Sequence, residues 1–586
     1  MWIAPNSTIH LLSGINWTPA YTDAVYFINK TVQLNYMKHK IFRSFDKQSY
    51  QRHSKNVLRI LATADSLYEC NYLMFQNEKR GGQNGDKWFY AFILDIEYVN
   101  ENTTDVYYEI DVIQTWFWDL KLGMCFVERE IPRYDTLYGN LVPENFETGE
   151  YIINTNVPTY LGAPCYIAVC ATDIYGNAAT TELNEWTIPL KYYAFVAKDN
   201  EDPEGLFWNI SKLVKAYYNE GNSPENIIAI QGVPAMLLSS DGSTTPNKNY
   251  SIPEGEDPFR PQTLINSIQL PNTYLETEWS FDTHLALNGY IPKNNKLHTY
   301  PYSFIQVSNN NGQISNYRWE NFGVDLYNEP TVTFKIIGTY YGLPTMLLIP
   351  ENYNGAYLNF DESISLANFP SIPWVTDTYK AYLAQNKASI MTSILCDTVS
   401  ATAGLASGIN MAVLGQAINN NAPNSQWLTQ LSSEGQRNRG IISSGSSIAN
   451  GATDILSTLA KISDVKQKPD TVHGLTQCDM LLTMTNKQHF EVYTKSVKAE
   501  MAKIIDDYFS AYGYAQHKFK KPEIITRTYW GYTKTKGCEL IGSCPEGIKA
   551  QIASIFDSGI RFWNSNEIIG DYSLDNSRPR AESEGN

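Results

Sequence analysis

Cysteine is scarce in this sequence and never set at metal-binding spacing. Cys70, Cys125, Cys165, Cys170, Cys396, Cys478, Cys538 and Cys544 are spread over 586 residues with no CxxC and no ordered His partners. That excludes a zinc site and leaves buried free thiols, as in a protein folded in a reducing cytoplasm. Cys538 and Cys544, across CELIGSC, are spaced for a local bridge. Positive charge is also short: 45 Lys and Arg stand against 61 Asp and Glu, a formal net charge of −16. Ordinary nucleic-acid binding, which neutralises phosphate with basic patches, is thereby disfavoured. Passage of DNA is not, because a negative wall repels it. No run of about 18 strongly apolar residues exists, so no conventional membrane span is expected. The start, MWIAPNSTIHLLSG, lacks the basic region and apolar run of a signal peptide. Catalytic signatures are missing too: no GxSxG, P-loop, HExxH or GxGxxG in strand–helix context. His10, His39, His53, His284, His298, His473, His489 and His517 are scattered and read as structural or surface residues. The loop RGGQNGD (Arg80–Asp86) lacks the Lys-Ser/Thr of a phosphate cradle and reads as a hairpin connection. No catalytic residue, metal ligand or cofactor is expected.

Aromatic residues are abundant instead: 40 Tyr, 23 Phe and 13 Trp. Tyr and Trp favour strands and large protein contacts. With 43% hydrophobic residues, the chain can bury substantial cores, and its length suits two to four domains. The fold class expected is mainly β (α+β).

The clearest β pattern is a hairpin. In KWFYAFILDIEYVN (Lys87–Asn100), Leu94, Ile96 and Tyr98 alternate with Asp95 and Glu97. In DVYYEIDVIQTWFWD (Asp105–Asp119), Val106, Tyr108, Ile110 and Val112 alternate with Glu109 and Asp111. Period two implies one apolar face, with Asp95, Glu97, Glu109 and Asp111 crowding the other. Opposed like charges destabilise a hairpin. Three readings stand: a solvated face with charges offset by register, an acidic wall, or a divalent-cation site.

Residues 152–348 show short apolar runs broken by Pro, Gly and Asn. A helix is expected over Leu206–Tyr218, and Ser239–Gln262 is loop-like. This reads as an inserted α+β domain. Trp374–Leu395 and Ile448–Pro469 have helical spacing. A strand is expected at His489–Val497 and a helix in KAEMAKIIDDYFSAYG, with Met501, Ile504, Ile505, Tyr508, Phe509 and Tyr512 on one stripe and Gly513 as its stop. A shorter helix spans Pro545–Ser558, with Ile548, Ile552, Ile555 and Phe556 inward. The tail SLDNSRPRAESEGN reads as a loose end.

Thirty-six consecutive residues, Thr398 to Ser433, carry no Asp, Glu, Lys, Arg or His. The neutral stretch resumes from Gly440 to Thr453. Gly, Ala and Ser are interleaved with apolar residues, notably Ile390, Leu395, Val399, Leu405, Ile409, Met411, Val413, Leu414, Ile418, Trp427, Leu428, Ile441, Ile442 and Ile448. Such a segment is a buried hairpin at a subunit interface, a low-complexity loop, or a conditional membrane segment. Small residues let helices pack closely in lipid.

Three stretches carry a resemblance: YLMFQN…GDKWFYAFILDIEYVN…VYYEIDVIQTWFWD (Tyr72–Asp119), AYLAQNKASI (Ala381–Ile390), and KKPEIITRTYWGYTKTKGCELIGSCPEGIKAQIASIFDSGIRFWN (Lys520–Asn564). They are similar to the tail knob, or distal tail tube, proteins of picovirus-type short-tailed bacteriophages infecting Gram-positive bacteria. The match covers the first quarter and last third of the chain, in order.

The resemblance implies a non-enzymatic virion protein at the tail tip, made in the host cytoplasm. It implies β-barrel tube domains, an inserted outer knob domain and a long hydrophobic helical or loop insertion. The corresponding division is 1–151 and 462–586 for the tube parts, 152–348 for the knob, 349–387 for a return segment and 388–461 for the loop. The partners implied are five further copies in a homo-hexamer, a lower collar or connector protein, double-stranded DNA in transit without specific binding, the host cytoplasmic membrane via the loop, and cell-wall components. Asp95, Glu97, Glu109 and Asp111 become candidates for lining the channel. Glu434, Arg437 and Arg439 interrupt the neutral segment; charges of that kind suit a turn, a pore lining or a headgroup contact rather than hydrocarbon. The alternatives from other classes are a wall-degrading glycan hydrolase, which needs two carboxyl groups at catalytic separation, and a receptor-binding adhesin, which needs an exposed aromatic platform.

Overall fold

Alternation along the first strands assigns successive side chains to two different apolar clusters. On Cys70–Lys79, Tyr72 and Met74 pack with Leu12, Tyr90 and Phe92, whereas Leu73 packs with Ile9, Leu11, Ala91 and Val106. Side chains of period two reach opposite faces, so this sheet is covered on both sides. The computed structural model describes residues 6–376, 471–473 and 487–580, apart from 50–55, 80–82, 163, 184–185, 197–204, 240–249, 253–264, 268–274, 283–285 and 323–330.

The N-terminal elements are β1 (Asn6–Ser13), β2 (Asp23–Tyr26), α1 (Lys30–His39), β3 (Ile41–Ser49), β4 (Val57–Ile60), β5 (Cys70–Lys79), β6 (Gln83–Asn100), β7 (Thr103–Ile110) and α2 (Val112–Trp116). Six strands form one antiparallel sheet in the order β3-β1-β5-β6-β7-β4. Lys79 pairs with Gln83 at the end of the β5–β6 ladder, as a hairpin connection requires. The sheet is curled but not closed: β3 and β4 remain its two edges. The fold is mixed α+β, and the expected closed barrel is a half-barrel within one chain.

The two ends of the chain build one body. A second sheet runs in the order β2, Ile560–Asn564, Trp530–Lys536, Cys125–Glu130, Tyr514–Lys520. Its β2 pairs in parallel with Ile560–Asn564. Asp23 fixes that pairing, accepting from Trp563 Nε1 at 2.8 Å and from Arg561 at 3.1 Å. Cys538, Ile552, Phe556, Ile560 and Phe562 then share a core with Leu12, Trp17, Tyr72 and Phe92. Each large side chain buried in this way contributes roughly 1.5–3 kcal/mol.

Between these ends lie three further main sheets. The first has strands Tyr151–Pro158, Glu491–Val497, Ser303–Ser308 and Ile314–Tyr317. The second is Lys191–Val196, Pro164–Cys170 and Ile227–Pro234, covered by a helix at Gly205–Asn219. The third is built on Leu275–Asp282, Thr331–Thr339 and Thr345–Tyr353, and residue 348 falls inside its last strand.

The C-terminal helices follow their apolar spacing. Ala499–Tyr512 buries Ala502, Ile505, Asp506 and Phe509, while Ile504 is 64% exposed and leaves the expected stripe. Asp506 is held by Tyr290 Oη, the Lys293 and Asn294 amides and Asn294 Nδ2. Gly513 ends the helix at φ +64°, and a Cβ there would run into the Glu130 carbonyl. The second helix is Glu546–Ser558. The tail departs from expectation as far as Arg580. Asn576 is buried, accepts from the Tyr529 amide and donates to the Trp530 carbonyl, both at 2.9 Å, so the segment is tied down. Cys538 and Cys544 are not bridged to each other; Cys538 lies against Cys125 instead.

Candidate functional site

The acidic hairpin is β6–β7, and its register answers the question of its crowded charges. Asp95 stands opposite Tyr107, Glu109 opposite Phe92, and only Glu97 faces another acid, Asp105. Two groups relieve that pair. Arg59, on β4, donates to both Asp105 oxygens at 2.7 Å. Tyr107 Oη donates to Glu97 at 2.7 Å, and this bond raises the phenol's pKa. Asp95 and Glu97 remain exposed and Glu109 partly so. Within the single chain these charges are offset by register, and Asp95 and Glu97 face outward. Among the described residues no group of three or more His, Cys, Asp or Glu is placed to hold a metal ion.

Asp111 does not belong with them. The second strand stops at Ile110, and DVIQTW turns into α2 with Asp111 as its N-cap. Asp111 is 1% exposed. One oxygen accepts from Trp17 Nε1 at 3.1 Å and Tyr72 Oη at 2.8 Å; the other accepts from the Gln114 amide at 3.0 Å. Burial pushes its carboxyl up to about 6, against those hydrogen bonds. A channel-lining role for Asp111 is overturned, because its oxygens face the core. The sequence did carry the signal: Asp followed three residues later by Gln is a helix-start pattern.

Two further departures mark the outer part of β6. The ladder slips between Ile93 and Asp95 and again between Tyr98 and Asn100. Leu94 and Val99 are therefore unpaired, and both are exposed, with Tyr98 59% exposed beside them. The expected apolar face survives at Ile96 but not at Leu94 or Tyr98. Bulges re-aim side chains in this way.

The neutral segment has a defined stem. Trp374–Thr376 pairs antiparallel with Thr471–His473, so the chain leaves and returns at one place. Trp374 is 4% exposed and packs with Tyr193, Leu213 and Ile230. The approach to it is tied to the sheet strand Ile227–Pro234: the Ile372 amide donates to the Ile230 carbonyl at 2.8 Å, and the Gly232 amide to Pro370 at 2.7 Å. Gly232 is needed there, because a Cβ would come within 2.9 Å of the Pro370 ring. Residues 388–461, with all the apolar positions from Ile390 to Ile448 named above, lie outside the described residues, as do 377–395 and Ile448–Pro469 of the expected helices; Trp374–Thr376, the start expected for the first of them, is a strand instead, because it pairs with Thr471–His473. Among the described residues no helix is long and apolar enough to cross a membrane.

Comparison with known proteins places this geometry. Residues 266–577, more than half of the chain, match the family model for the C-terminal domain of the tail knob protein gp9 of Bacillus phage phi29. Residues 5–121 match the family model for the N-terminus of caudoviral major tail proteins. The chain is 25% identical to the tail knob protein gp9 of Bacillus phage PZA and 24% identical to that of Bacillus phage phi29, in each case over 97% of this chain and 98% of the relative. In fold it is similar to the bacteriophage C1 tail knob protein gp12, with a TM-score of 0.62, 12% identity and coverage of 95% of this chain and 96% of that one. Two family models in chain order and end-to-end alignment with the relatives agree: this chain belongs to the tail knob protein family of short-tailed bacteriophages, structural and non-enzymatic components of the virion's tail tip.

Proposed function

We propose that the chain forms a closed ring of six that conducts the genome out of the particle, with residues 388–461 plugging the channel until they are released into the host cytoplasmic membrane. The observation that carries this reading is the neutral stretch from Thr398 to Ser433, in a tail-tip protein, hung from a single two-stranded stem. A segment of that composition is kept from water by packing against its symmetry mates or by lipid. The tube parts are 1–151 and 462–586, joined here by the shared sheet of β2 with Ile560–Asn564. The outer knob is 152–348, and 349–387 returns the chain to the stem. The net charge of −16 per copy suits a conduit that DNA slides through, and Asp95, Glu97 and Glu109 are the hairpin residues that would contribute to its wall. A lower collar protein above and cell-wall components below complete the contacts.

The test replaces residues 388–461 with a short Gly/Ser linker. The stem strands flank the deletion, so the variant is expected to fold and to assemble as the parent does. It should release no dye from liposomes that the intact chain permeabilises. Equal leakage from both would remove the membrane role and leave the segment as a plug.

A further inference from the structure

The strongest unassigned feature lies at the root of the acidic hairpin. A groove of about 480 Å³ opens there, walled by Phe117, Trp118, Ile524 and Leu540 among others. Lys121 and Lys521 line it, and both are exposed. Neither makes an ion pair among the described residues. In a protein of net charge −16, two such cations beside an aromatic groove form a local site of opposite sign.

The complementary surface is at the other end of the same hairpin. Tyr98 and the bulged Val99 present apolar surface at the tip, with exposed Glu101 two residues beyond Val99 in the turn. Asp95 and Glu97 alternate with Ile96 and belong to the opposite face of the strand from Tyr98, so docking the tip leaves them free. The tip cannot reach its own groove. From Ile110 to Thr103 the ladder runs seven residues, roughly 24 Å at strand rise, and pairing with β4 over Thr104–Tyr107 fixes β7 in the sheet.

We propose that the groove receives the β6–β7 tip of a second copy of this chain, Tyr98 and Val99 entering the aromatic walls and Glu101 meeting Lys121 and Lys521. Patch and socket are different surfaces, so the contact is head-to-tail. Head-to-tail contacts close into rings or run on as filaments, and do not stop at a symmetric dimer. The proposal deepens the ring reading and rests on it.

Two variants test it in the full-length chain. One is Tyr98→Ser with Val99→Ser, which empties the tip. The other is Lys121→Glu with Lys521→Glu, which reverses the socket's charge. All these side chains are exposed or line an open groove, and melting curves check that the variants keep the parent's fold. Each variant alone is expected to associate at least about 30-fold more weakly than the parent, the scale of an interface hot spot. Mixed together, they should give one-to-one dimers and no rings, because each retains the half that the other lost. Adding Glu101→Lys to the socket variant should restore association. Rings that persist in both variants would overturn the docking contact while leaving the ring reading in place. A parent chain that is monomeric in solution and forms no ring in the particle would overturn both.

Discussion

Replacing Tyr72 with Phe probes the buried carboxylate that holds the acidic hairpin to the core. The ring of Tyr72 is fully buried and meets Trp17 and Phe92 edge-on, contacts that Phe keeps. What is lost is the 2.8 Å hydrogen bond to Asp111. Asp111 titrates near 6 in the fold against 3.8 for an unperturbed aspartic acid, because burial disfavours its charge. The folded state therefore holds its proton more tightly. The resulting penalty is fully present above about pH 6 and is relieved as the pH falls towards about 4, with a size near 3 kcal/mol. Tyr72 offsets part of that penalty only while Asp111 is charged. A hydrogen bond to a charged group contributes about 1.5–3 kcal/mol, and one to a neutral group about 0.5–1.5 kcal/mol. Hydrogen exchange at the Gln114 amide, which Asp111 caps, reads the local opening. Corrected for intrinsic rates, Tyr72→Phe should lose protection about 30-fold near pH 8 and only about fivefold near pH 4. An equal loss at both values would refute a charged Asp111 as the group that Tyr72 serves.

Three further outcomes follow from single contacts. Gly513→Ala should destabilise the C-terminal body by on the order of 3 kcal/mol, from left-handed backbone strain plus the clash with Glu130, and should lower the thermal midpoint and soluble yield. Asn576→Ala removes two buried backbone partners, so about 2 kcal/mol of local stability should go and limited proteolysis should cut near residue 576 much faster. Arg59→Leu leaves Glu97 and Asp105 opposed without a cation. It should lower the melting temperature at neutral pH, with the deficit shrinking in acid as carboxylates are protonated.

What could be read from the chain alone was what depends on local period. The helix at Gly205–Asn219 and the two C-terminal helices declare themselves by apolar spacing and glycine stops. The β6–β7 hairpin does so by alternation. What failed depended on register and distant partners. Asp111 fits the alternation as an outward acid, and only Trp17 and Tyr72, far away in sequence, make it an inward cap. Two bulges turned Leu94 and Val99 outward, and nothing in a period-two pattern marks a bulge. Arg59 was overlooked because its partner Asp105 lies across a strand pairing that sequence does not specify. The tail looked loose because its anchors lie far off in sequence: Asn576 is an ordinary turn residue until it meets Tyr529 and Trp530, and Arg578 and Arg580 are tied through Thr528 and Thr526.

The pairing of β2 with Ile560–Asn564 has a consequence for the order of events during synthesis. A ribosome delivers the chain from its N-terminus, so residues 23–26 wait for nearly the whole translation before their sheet neighbour exists. Until then the apolar cluster around Trp17, Phe92 and Val112 lacks Ile552, Phe556 and Phe562. A chain cut short before residue 560 cannot complete this body, whatever its middle region has done. Completion of the last strand thus works as a proofreading step: only full-length copies present a finished surface, and truncated ones are left with exposed core for proteases to find.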